Sequence, residues 1–292
     1  MDLTILQFLA APFAASLILT GIHTYLGVHV VERGVIFVDL SLAQIAALGA
    51  TIALLLPASG GDPHAGSVYW ISLGFTFIGA AIFSTIRTHR ARIPQEAIIG
   101  ICYAVASAAA ILAMSKATGE SEHLKDMLVG NILSVSWGDV LKTAILYGAI
   151  GAFHYIFRRR FLMISIEPKR AEAEGVSIRL WDFLFYASFG FVVTSSVSIA
   201  GVLLVFCYLI VPSVAAMLYS EHIGTRLAIG WTMGTVVSAL GVYLSLDLDL
   251  PTGATIVCTF GLVLVLMALL KPVLRPRPVV SAPGYAGKMG KG

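Results

Sequence analysis

Residues 180–219 read LWDFLFYASFGFVVTSSVSIAGVLLVFCYLIVPSVAAMLY. Two apolar runs of spanning length, Leu180–Ile199 and Val202–Tyr219, follow one another here almost without a break. A run of about 18 apolar residues, coiled as an α-helix, matches the ~30 Å hydrocarbon core of a bilayer. Toward the N-terminus comparable runs fall at Leu6–Val30, Ser41–Pro57, Val68–Ile86, Ala97–Met114 and Val140–Phe157. Toward the C-terminus they fall at Leu227–Leu246 and Ala254–Leu270. The pattern predicts an all-α polytopic membrane protein with about nine transmembrane helices.

Composition agrees. Hydrophobic residues make up 58% of the chain and charged residues 12%, with a mean hydropathy of +0.90. A soluble domain carries roughly twice that charge fraction, about 25%. The polar residues are too few to cover a water-facing surface, so lipid is the solvent. Residues 1–272 read as one transmembrane domain and residues 273–292, rich in Pro, Arg, Gly and Lys, as a disordered cytoplasmic tail.

The basic residues orient the spans. With the N-terminus outside and an odd number of crossings, 16 lysines and arginines fall on one side and only Lys116, Lys125 and Lys142 on the other. That asymmetry places the C-terminus in the cytoplasm. The outer side is net acidic, and Glu120, Glu122, Asp126 and Asp249, with His123, form an outer rim that attracts cations. Solubilising loop charges account for the same rim.

Enzymatic motifs are missing. The seven histidines are scattered without a HExxH pair, and no GxxxxGK[ST] phosphate loop occurs. The span interiors read as almost free of ionisable groups, which disfavours an intramembrane enzyme. Cys102, Cys207 and Cys258 each lie in an apolar run and read as small buried hydrophobes.

Four segments carry information. In the first, Asp39, Ser41 and Gln44 open an apolar helix. Asp39 or Ser41 could cap exposed amides there. Gln44, past the first turn, needs another reason, and Ser41 and Gln44 share a helix face. In the second, Glu167-Pro168-Lys169-Arg170-Ala171-Glu172-Ala173-Glu174-Gly175 reads as a short charged cytoplasmic helix, with Pro168 in its first turn and Gly175 as its cap. In the third, Gly201 to Ala216, Pro212 should kink a span. In the fourth, Asp249-Leu250-Pro251-Thr252-Gly253 is a turn feeding the last span.

In this order and spacing the segments resemble the permease subunits of the ABC importers for zinc, manganese and iron. Arg33, Ser41-Leu42-Ala43, Gly49, Gly100-Ile101, the Ile166-to-Val176 loop, the Gly201-to-Pro212 span and Asp249-x-Pro-x-Gly carry the likeness. It runs from about Leu6 to Lys271. The resemblance implies a homodimer in the inner membrane of a prokaryote, a cytosolic ATPase that uses ATP and Mg²⁺, and an extracytoplasmic substrate-binding protein. It also implies that no nucleic acid is involved and that the chain itself binds no cofactor and is no enzyme. Glu167, Pro168, Arg170, Glu172 and Gly175 would form the loop that seats on the ATPase. Family permeases open the second span with an Asp and, four residues later, a His. Those positions are Leu40 and Gln44 here, with Asp39 one residue early, and a further family histidine falls at Ala104. The pathway residues implied are Asp39 as metal ligand, with Ser41, Gln44, Cys102 and Tyr103. An ion-gradient-driven secondary transporter and an ABC permease for a non-metal substrate are the alternatives; a passive membrane scaffold also fits the composition.

Overall fold

The computed structural model describes residues 3–56, 66–86, 93–115 and 132–274. All of their regular structure is helical: α1 (Leu3–Arg33), α2 (Val38–Leu55), α3 (Gly66–Ile86), α4 (Gln95–Met114), α5 (Trp137–Ile156), α6 (Arg158–Ile166), α7 (Pro168–Ala173), α8 (Ile178–Tyr219), α9 (Ile223–Asp247) and α10 (Thr252–Leu274), with one 3₁₀ turn at Ile132–Ser134. Seven of these are long and apolar enough to cross a membrane, and an eighth crossing results if α5 and α6, bent by 74° at Phe157, count as one.

The centre of the bundle is α1 and α8. Two thirds of each is buried, against about a fifth of α4 and α10. Close approach rests on small residues. Thr20 and Thr24 of α1 press their methyl groups into the space left by Gly234 and Gly230 of α9, and Gly27 lies directly on the Leu209 carbonyl of α8. Small residues of this kind let helix backbones approach where lipid supplies no hydrophobic drive between helices.

The two apolar runs quoted above form the single 42-residue element α8. A straight helix of that length would measure about 63 Å, twice the ~30 Å that a membrane requires. It is not straight. Gly201 takes φ 76°, ψ 159° and breaks it between the two runs. The chain then doubles back: Asp182 near the start of the first arm pairs with Arg33, and Arg226, just past the second arm, pairs with Glu32. Both arms therefore meet the same end of α1. The break falls at Gly201, between the two expected spans, and Pro212, where a kink is expected, lies inside the second arm. The ring at Pro212 removes a single hydrogen bond, whereas the φ/ψ of Gly201 redirects the chain outright.

Only glycine adopts that backbone region readily, and another residue there costs about 1–3 kcal/mol. Gly201→Ala is expected to lower the thermal midpoint of the detergent-solubilised protein. Gly148→Ala, at a helical site with open space around its Cβ, should instead be neutral or gain up to about 1 kcal/mol. Equal midpoints for the two variants would remove the hinge from Gly201.

At the turn into α10, Asp249 takes φ 52°, while Leu250 N–H bonds the Ser245 carbonyl at 2.9 Å. Glu120, Glu122, His123 and Asp126 of the expected rim lie outside the described residues, as does the tail beyond Leu274. All three cysteines are free. Cys102 and Cys207 are half-buried and Cys258 is exposed, contrary to the buried setting expected of it. On a peripheral helix an apolar residue can face outward at no cost in lipid.

Candidate functional site

Asp39 lies in the first turn of α2 and is 1% exposed. It caps nothing. The residue at the N-cap is Phe37, with no side-chain cap, and its N–H is bonded by Glu96 Oε1 of α4 at 2.9 Å. Neither carboxylate oxygen of Asp39 has a hydrogen-bond partner, nor has Ser41 Oγ. The capping explanation is thereby overturned for both residues. With 1% of its surface exposed, the carboxylate is enclosed by the packed helices.

A buried carboxylate without a partner is expensive, at several kcal/mol even after relaxation. Buried polar groups in native proteins are nearly always bonded, and exceptions call for a reason. Inside a membrane bundle the default reason is function. A carboxylate oxygen held there is suited to transient passage of a hard or borderline cation. Among the described residues no three His, Cys, Asp or Glu side chains gather closely enough to hold a metal ion.

The other expected pathway residues are spread out. Gln44 is half-buried, one turn beyond Asp39. Cys102 of α4 is half-buried against the main core, whereas Tyr103 is 39% exposed and faces outward. The structure brings Asp39 and Ser41 inside and leaves Tyr103 on the perimeter. Neighbouring positions on one helix point about 100° apart, and α4 buries only a narrow stripe.

The expectation of spans free of ionisable groups is wrong. His23, His29 and His154 are at most 1% exposed. His23 Nδ1–H donates to the Leu19 carbonyl at 2.8 Å, which leaves Nε2 to accept from Ser196 at 3.3 Å. His154 Nε2 meets Ser188 at 2.8 Å, and its Nδ1 lies 3.4 Å from the Tyr25 hydroxyl. The Tyr25 ring sits edge-on to His29 at 4.8 Å. Beside them Tyr147 donates to the Val192 carbonyl at 3.2 Å and Thr76 meets Thr194 at 3.1 Å. These groups escaped attention because they are far apart in sequence. A signal existed nonetheless: Ser16, Thr20, His23, Thr24 and Gly27 recur at helical spacing and mark one polar face of α1.

At the opposite extreme of exposure lies α7. Pro168 occupies its first turn, and Gly175, at φ 71°, ends it, with Val176 N–H returning to the Ala171 carbonyl at 2.9 Å. That closure is the one glycine provides past a helix C-terminus. Ala171 is fully buried and anchors the helix. Glu167, Lys169, Arg170, Glu172 and Glu174 are exposed. Arg170 bridges Glu167 at 3.0 Å and Glu174 at 2.9 Å. The Glu167 hydrogen bond, then that of Glu174, raises the guanidinium pKa above its ordinary value. The result is a rigid charged face standing off the bundle.

Three comparisons bear on this architecture. The manganese transport system membrane protein MntC of Listeria innocua is 28% identical over 211 residues, 70% of this chain and 75% of that one. The chelated iron transport system membrane protein YfeC of Yersinia pestis is 27% identical over 203 residues, 70% of this chain and 69% of that one. The solved structure of PsaBC from Streptococcus pneumoniae in complex with Fab superposes with a TM-score of 0.73 at 23% identity, over 89% of this chain and 90% of that one. The model of the ABC 3 transport family matches residues 5–271, and the chain belongs to that family.

Proposed function

We propose that the chain is the membrane-spanning permease subunit of an ATP-driven importer for a divalent transition-metal cation. The observation that carries this reading is the unpartnered Asp39 carboxylate inside the bundle of a transport-family fold. The substrate is manganese or iron in preference to zinc. Relatives are named for manganese and for iron, and the Asp39 carboxylate is an oxygen ligand, the type that manganese and iron take more readily than a thiolate-seeking zinc. Ser41, Gln44 and Cys102 continue the path along α2 and α4. The chain works as a homodimer in a prokaryotic inner membrane. A cytosolic ATPase, which uses ATP and Mg²⁺, seats on α7, and an extracytoplasmic binding protein delivers the cation.

The topology follows the same reading. Counting the two arms of α8 separately, α1 to α5, α9 and α10 bring the passages from end to end to nine. The N-terminus then lies outside, and Arg33, Arg158, Arg170, Arg226 and Lys271 share the cytoplasmic side. Phe37 with Glu96, Arg33 with Asp182, Arg226 with Glu32 and Tyr219 with the Met267 carbonyl at 2.5 Å all pair at that end. Reporters fused after Thr118 and after Glu172 should report opposite compartments; agreement between them would rule the arrangement out.

Transport is tested in proteoliposomes holding the permease and its ATPase. ATP-dependent uptake of manganese or iron is expected, and deletion of residues 168–175 should abolish both ATPase co-purification and uptake. Uptake driven by an ion gradient without ATP would support a secondary carrier instead.

A further inference from the structure

The geometry points to the Ser165 hydroxyl, held between Arg33 and His29, as the joint through which α7 moves the membrane bundle. This inference rests on the permease reading, because it concerns how an ATPase seated on α7 acts at a distance. Ser165 lies in the last turn of α6, and one residue, Glu167, separates α6 from α7. The two helices form one unit: Phe161 and Ile164 of α6 and Ala171 of α7 are fully buried in the main core.

Ser165 is itself 4% exposed. Its Oγ accepts the Arg33 Nε–H at 2.9 Å, which leaves its O–H to donate to His29 Nδ1, 2.8 Å away. Arg33 Nη1–H in turn donates to Asp182 Oδ1 at 2.7 Å, with the two side chains 1% and 0% exposed. The guanidinium also lies 3.9 Å over the Phe185 ring of α8. One hydroxyl thus ties the α6–α7 unit to α1, and through Arg33 to the first arm of α8.

Burial makes this link stiff. Water cannot replace a bond lost here, and a buried donor or acceptor left without a partner carries its full desolvation cost. A displacement of α7 must either carry α1 and α8 with it or break the set together. The neighbouring Glu32–Arg226 pair makes an instructive contrast. It joins α1 to α9, and it is more exposed, at 22% and 10%.

Ser165 is therefore a positioning residue for coupling. The test measures metal uptake and ATP hydrolysis in the same proteoliposomes, for the native complex and for Ser165→Ala, Ser165→Thr, Asp182→Asn and Glu32→Gln. Ser165→Ala should keep the assembled ATPase turning over while uptake per ATP falls at least fivefold. Asp182→Asn should lower the ratio in the same direction, Ser165→Thr should restore it, and Glu32→Gln should leave it unchanged. A native-like ratio in Ser165→Ala or, where that variant does not assemble, in Asp182→Asn overturns the inference. A fall of the same size in Glu32→Gln overturns it too, since the joint would then not be particular to Ser165. A native complex without ATP-dependent uptake overturns the permease reading instead, and the two failures are distinguishable.

Discussion

Asp39→Asn should give a permease that is more heat-stable than the native chain and slower in manganese uptake by roughly tenfold or more, the factor that about 1.4 kcal/mol of lost cation binding represents. The two effects have one origin. The native carboxylate is 1% exposed and has no hydrogen-bond partner, so the empty bundle bears its desolvation cost. The amide has nearly the same shape and no charge to desolvate. For a chain of this size each kcal/mol recovered should raise the thermal midpoint by roughly 2–4 °C. The passing cation, in contrast, loses the negative charge of Asp39. Thermal unfolding in detergent and initial uptake rates check both halves. A variant that is destabilised and transports normally would make Asp39 a structural residue and dismiss the pathway.

The second large effect concerns Arg33 and Asp182. Asp182→Ala should cost roughly 3–5 kcal/mol of stability, because it strands a buried guanidinium. Replacing both partners, Arg33→Met with Asp182→Leu, should recover most of that loss, since an apolar pair carries no desolvation cost. The stacking of Arg33 on Phe185 at 3.9 Å would be forfeited in the double variant, so recovery falls short of complete. Denaturation curves of the single and double variants measure this directly. If the double variant is as unstable as the single, the ion pair is not what Asp182 contributes.

How much of this was legible in the sequence depends on the length of the signal. The apolar runs marked the helices to within a few residues, because every spanning segment must satisfy its backbone internally and so must be long and apolar. The junction between Ile199 and Val202 fell where Gly201 breaks α8. What makes the break was not legible, because the backbone angles of a glycine leave no trace in composition. Pro168 and Gly175 announced α7, since each has a local conformational reason to stand at its end of a helix. The interior was harder to read. Asp39 could have been a cap, and only its unsatisfied oxygens separate the two possibilities. His154 and Ser188, or Ser165 and Arg33, meet through packing between distant segments, a kind of information that periodicity does not hold. The setting of Tyr103 was equally hard to foresee: α4 is mostly perimeter, and one residue's step turns a side chain by about 100°, from core to surface.

The break at Gly201 also bears on how the protein is made. Its flanking arms leave no polar loop between them, yet both ends of α8 return to the same end of α1. The insertion machinery therefore receives them as one continuous greasy segment, with no hydrophilic pause at which the first arm could be released alone. They must enter the lipid as a pair, already folded back on each other. Concerted biogenesis of this region is the expected outcome, and a tag or loop engineered at the apex should disturb assembly before it disturbs transport.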